Sequence, residues 1–132
     1  MMRAIAAALL VSSQAVVAQE SIVSRNLPQA EAVETQTGLG AVVRAIDTLN
    51  GNVEDITLRN GESTDFGRIQ IALGECRYPA DNPSEDAFAK LTIIDSRETS
   101  PRFSGWMLAS SPALSALEHA RYDVWVIRCV IE

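Results

Sequence analysis

Two cysteines and a single histidine in 132 residues are too few for a tetrahedral zinc set of thiolates and imidazoles. The cysteines are not spaced as Cys-x-x-Cys and follow no basic helix start, which removes the usual setting of a reactive thiol. A Gly-rich phosphate loop is missing, as is a G-x-S-x-G nucleophile elbow. Asn50-Gly51-Asn52 with Glu54-Asp55 holds some calcium-ligand residue types but not the spaced series such a loop needs. Basic side chains are the scarcer sign, 11 against 17 acids, for a net charge of −6. That balance argues against nucleic acid and against anionic lipid as partners. No metal or cofactor is therefore expected.

Long apolar runs are also missing. Ala4 to Val11 is too short to cross about 30 Å of hydrocarbon, and Ser12, Ser13 and Gln14 interrupt it. With Arg3 in front and the small-residue site Val16-Val17-Ala18 behind, residues 1–18 read as a secretory signal peptide cleaved after Ala18, rather than a retained anchor. Export follows, with no membrane span after cleavage. Without Arg3 the chain carries ten basic and seventeen acidic residues, a charge of −7. Residues 19–40 are rich in Gln, Glu, Thr and Ala, a composition that buries too little apolar surface to offset its ordering entropy. They read as a flexible acidic arm, either a solvated tether or a segment that orders on a partner.

What is present from residue 41 onward is β-forming sequence, enough for one core. Ala41 to Leu49 and Val53 to Leu58 are strands joined at Asn50-Gly51, a pair suited to a type I′ hairpin turn, and Asn60-Gly61 marks a second turn. Phe66 to Leu73 is a strand with Ile69, Ile71 and Leu73 inward and Arg68 and Gln70 outward. Cys76 falls on the wrong parity for that face, so a β-bulge at Gly74 is expected to return it to the interior. Residues 78–85 form a loop. Phe88 to Ile94 is a fourth strand, followed by a polar connection with Pro101. Phe103 to Ala109 and Tyr122 to Ile131 carry large apolar groups on both parities, which predicts strands covered on both sides. Between them, Ser111-Pro112 announces a helix of one to two turns, with Ser111 as N-cap and Pro112 at the first position. Leu114 and Leu117 would share its face, and His119 would close it at the negative end of the dipole. The expected fold is all-β: a small antiparallel sandwich or partly closed barrel of about six strands, with one short helix before the last strand.

An exported chain with two cysteines usually joins them. A Cys76–Cys129 disulfide would tie the middle of the domain to its end. Closing 53 residues stabilises by on the order of 4 kcal/mol in the chain-entropy picture.

Ser110, Ser111, His119 and Asp123 are close in sequence, but members of a hydrolase triad must hydrogen-bond one another in space. Their simpler roles are cap, helix end and strand start. Pairs among seventeen acids would fall within glycosidase range by chance, so no catalytic residue is assigned. Ser111, Pro112, Leu114, Leu117 and His119 form a candidate partner contact, the alternative being that both leucines cover the core.

The run GWMLASSPALSALEH, Gly105 to His119, with YDVWVIRC from Tyr122 to Cys129, resembles the signature of an alphaproteobacterial envelope family known as domain of unknown function 2155. AIDTLNGNVEDITL (Ala45 to Leu58) and FGRIQIALGECRYP (Phe66 to Pro79) are similar to it too, so the likeness covers about Ala41 to Cys129. The resemblance implies an exported small β domain with no assigned activity, and it carries over no catalytic residue. The expected function is a periplasmic, non-catalytic binding or accessory domain with an envelope protein partner. The alternative is a small envelope hydrolase or carbohydrate-binding module, which a tryptophan exposed beside carboxylates would favour.

Overall fold

The computed structural model describes residues 32–132; residues 1–18, read above as a signal peptide, and residues 19–31, read as part of the arm, lie outside them. Among the described residues eight strands build two antiparallel sheets. The larger has β5 (Ile69–Pro79) and β6 (Phe88–Asp95) at its centre, flanked by β7 (Phe103–Leu108) on one side. On the other side lie β1 (Thr35–Thr37) and β4 (Ser63–Phe66). The smaller runs β3 (Asn52–Arg59), β2 (Gly40–Asp47), β8 (Tyr122–Val130). The pair is a sandwich and does not close into a barrel.

Alternation fills the space between the sheets. Ala41, Val43 and Ala45 of β2 face Ile69, Ile71 and Leu73 of β5 and Leu91 and Ile93 of β6, all buried. Removing each large aliphatic side chain from water contributes roughly 1.5–3 kcal/mol. Small residues line β2, so the larger groups of the opposite sheet can approach closely.

Parity alone would leave both cysteines outside, and a bulge on each strand corrects it. Leu73 pairs with Leu91 but Cys76 with Ala89, so Gly74 and Glu75 together oppose Lys90. This is the bulge expected at Gly74. On β8 the partners of Val42 and Val43 are Arg128 and Val126, which leaves Ile127 as the extra residue. Tyr122, Val124 and Val126 point inward before it and Cys129 after it. The sulfurs meet as a disulfide joining the two sheets.

Several expectations change. The Asn50-Gly51 hairpin is present, but Asp47 pairs with Asn52 across a four-residue loop. Only Gly51 has positive φ, at 77°, so the turn is not type I′, which needs two such residues. Phe66 belongs to a strand of its own: Gly67-Arg68 reverses the chain in two residues, pairing Phe66 with Ile69. Thr35–Thr37, assigned to the arm, is a strand on the end of β5. Arg77 holds it by donating to the hydroxyls of Thr35 and Thr37 at 2.8 and 3.0 Å. β5 accordingly extends to Pro79 instead of ending in a loop.

β7 and β8 are edge strands, not covered ones. Their second apolar rows, with Trp106 and Trp125, face outward and stay 37% and 41% exposed. The short helix is a single 3-10 turn over Pro112–Leu114, and Ser111 makes no side-chain cap.

Candidate functional site

The two ends of the sandwich hold different chemistry. One end is organised around Tyr122, fully buried at the start of β8. Its hydroxyl accepts the Arg68 backbone N–H at 3.0 Å. Gly67, at φ 56°, allows this, because a Cβ there would collide with that hydroxyl. The guanidinium groups of Arg121 and Arg68 lie 5.1 and 5.9 Å from the Tyr122 ring, at cation–π distance. His119 and Phe66 pack against the same ring.

His119 is an internal connector. Its side chain is 3% exposed. Nδ1 accepts backbone N–H groups of Arg121 at 3.0 Å and Tyr122 at 3.3 Å. The ring proton therefore sits on Nε2, which donates to Asp95 Oδ2 at 2.8 Å. Both nitrogens are committed, so the imidazole has none left for a general base. Asp95 also accepts from the Arg97 backbone N–H and from Arg68. The Arg97 bond first, then His119, lowers the Asp95 carboxyl to about 2. Beside it, Arg121 grips Asp47 with two bonds of 2.9 and 2.8 Å, which holds that carboxyl below its ordinary value. The Nε of Arg68 is buried without a partner.

At the other end, the disulfide lies under an open cleft of about 510 Å³, within the size range of small-ligand sites. β8 forms one wall with Ile127, Arg128 and Ile131; the segment before β6, with Glu85, forms the other. Asp86 fixes that second wall. Its carboxylate accepts the Ala87 and Ser110 N–H groups and the Ser110 hydroxyl, the last at 2.6 Å.

The sequence-based candidates are thus divided between roles. Ser110 bonds Asp86 and His119 bonds Asp95, while Asp123 lies opposite Ile46 on β2; they form no triad. Cys76 and Cys129 make the inter-sheet bridge. Within the Ser111–His119 segment, Leu117 is core at 6% exposure and His119 is buried, whereas Leu114 is 78% exposed. Ser111 and Pro112 sit at the 3-10 turn that lifts Leu114 away. Leu114 and Leu117 therefore do not share a face. The residues that sequence reasoning missed are Asp47, Asp95, Arg68 and Asp86. Their partners are distant in sequence, by 24 residues for both Asp95–His119 and Asp86–Ser110, and no local pattern signals them. Among the described residues no group of three or more His, Cys, Asp or Glu is placed to hold a metal ion. Nor is any helix long and apolar enough to cross a membrane.

Fold and site together define a disulfide-stapled, two-sheet all-β domain with an internally committed histidine and an open cleft at the opposite end. The chain belongs to the family described as an uncharacterized protein conserved in bacteria, DUF2155, which matches residues 41–129. It is 32% identical over 88 residues to an uncharacterized protein of Rickettsia prowazekii (strain Madrid E), a match covering 64% of this chain and 57% of that protein. The chain thus spans little more than half of that relative's length. No solved structure matches.

Proposed function

We propose that this chain is an exported, non-catalytic binding or accessory domain of the bacterial cell envelope that engages a protein partner. The observation that carries the reading is the division of labour after β7. Leu117 and His119 are committed to the interior, while Leu114 stands 78% exposed beside them. A large aliphatic side chain held out by a short turn costs nothing to remove from the fold and is available for contact. The export signature of residues 1–18 and the disulfide support an oxidising compartment such as the periplasm. The engagement of both histidine nitrogens supports a role other than acid–base catalysis.

The test is crosslinking in intact cells with a tagged copy at native level, followed by mass spectrometry. Leu114→Asp is expected to leave stability within about 0.5 kcal/mol and to lose a partner that the wild type recovers. Recovery of the wild-type domain alone would refute the reading.

A glycan-binding module is the second reading, and Trp125 favours it. This ring is 41% exposed and pairs in register with Arg44, whose guanidinium makes two bonds to the Asp55 carboxylate. An aromatic face next to an ion pair is a surface on which a sugar stacks. Quenching of tryptophan fluorescence by cell-wall glycan fragments, lost in Trp125→Ala, would establish it.

A further inference from the structure

Every open sandwich has strand edges with unpaired backbone groups, and soluble proteins guard them by shortness, charge or cover. Four of the edges here are guarded or brief. β1 has three residues and β4 four. β3 carries Glu54, Asp55 and Arg59 along an almost wholly exposed strand. β7 has six residues.

β8 differs. It is nine residues long and terminal in its sheet. It contains neither lysine nor proline, its charges are limited to Asp123 and Arg128, and it presents Trp125 and Ile127 to solvent, with Ile131 just beyond. Its bulge does not protect it, because the residues it re-aims, Ile127 and Arg128, line the cleft. The opposite wall, fixed by the Asp86–Ser110 bond, stands beside this edge. Between them lies the open cleft of about 510 Å³.

We propose that the free edge of β8, from Trp125 to Ile131, takes up an extended segment of another protein as an added strand. Alternate apolar side chains of that segment would seat against Ile127, Ile131 and the disulfide at the cleft floor. Main-chain pairing supplies affinity in this mode and the pockets for alternate side chains supply selectivity. Charge sets the other face of the guest. The chain carries −6 overall, and the cleft is lined by Glu85 and Asp86 against the single cation Arg128, an excess of one negative charge. The guest strand is therefore of alternating apolar and basic residues. This inference rests on the binding-domain reading and adds to the Leu114 contact a second one, at the β8 edge.

The probe is an end-capped heptapeptide of alternating valine and lysine, titrated into the isotope-labelled protein and followed by amide resonances and hydrogen exchange. Saturable shifts confined to residues 83–87, 110 and 125–131 are expected, with at least tenfold slower exchange along 125–131. The valine–glutamate counterpart is expected to bind at least tenfold more weakly. Ile127→Lys and Ile131→Lys, both at exposed positions, should abolish the response while thermal unfolding stays in place. Saturable shifts mapping elsewhere would overturn the proposal, as would no saturable response at millimolar peptide. So would peptide-independent, concentration-dependent shifts at β8 with a doubled mass, which would make a second copy the occupant. In cells, a partner recovered equally by wild type and Ile127→Lys would sink this site and leave the binding reading standing. No partner with either protein would sink the reading itself.

Discussion

At the residue scale, one side chain settles how an end of the molecule is built. Tyr122 accepts a backbone N–H through its hydroxyl and carries two guanidinium groups, a phenyl ring and an imidazole around its own ring. Tyr122→Phe leaves the half-buried Arg68 N–H without its acceptor, and a loss of about 1 kcal/mol is expected in denaturant unfolding. Gly67→Ala should be at least as harmful. It places a side chain at a positive φ, a cost of order 1–3 kcal/mol, and drives a methyl into the Tyr122 hydroxyl. The leucines of the 3-10 segment separate as sharply. Leu117→Asp buries an uncompensated charge and is expected to prevent folding, whereas Leu114→Asp leaves the unfolding midpoint where it was. Circular dichroism melts of the two variants compare them directly. None of this was readable in sequence. Periodicity placed both leucines on one helical face, but three residues of 3-10 geometry do not repeat long enough to carry a face through to Leu117.

At the element scale, what sequence revealed depended on whether an element carried its own apolar signal. The β5 bulge was legible because Cys76 sat on the wrong parity with Gly74 just before it. The β8 bulge was not, because Tyr122 to Ile131 is apolar on both parities and any register looks acceptable. That same property made β7 and β8 read as covered strands. β1 was invisible because Thr35, Gln36 and Thr37 have no apolar payload; hydrogen bonds from Arg77 hold it. The Gly67-Arg68 reversal was hidden inside what looked like one run from Phe66 to Leu73. The bulges make a specific demand on the disulfide. The bulge leaves Arg128 outward and Cys129 inward, so inserting one residue between them turns Cys129 to the outer face. Both thiols of that variant are expected to react with an alkylating reagent without prior reduction, whereas the native chain should resist alkylation and weigh two hydrogens less than its reduced form.

At the scale of the whole molecule, the sandwich is pinned at one end by hydrogen bonds and ion pairs and at the other by a covalent bond. The two pins respond to different conditions. The Asp95 carboxyl has an ordinary value of 3.8, lowered to about 2 in the folded chain, so folding favours its ionised form. That stabilisation is complete above about pH 4 and is lost as pH falls from 3.8 through about 2. Asp47 and Asp55, both lowered by arginine partners, act in the same direction. Unfolding free energy measured against pH should hold level from neutrality to about pH 5 and then decline toward pH 2. Asp95→Asn is expected to flatten that decline. Reduction at neutral pH acts on the other end, removing on the order of 4 kcal/mol from a domain whose total stability is of order 5–15 kcal/mol.

The covalent pin also bears on timing. Its two halves lie on different sheets, at Cys76 on β5 and Cys129 on β8, so before it closes the layers are held together by packing and by the Tyr122 end alone. On the export reading proposed above, a chain in reducing surroundings is the less stable form, the one that would thread unfolded through a narrow secretion pore. Once oxidised on the far side, it resists being drawn back. On that reading, one bond between sheets works as a ratchet tooth: absent during passage, set on arrival.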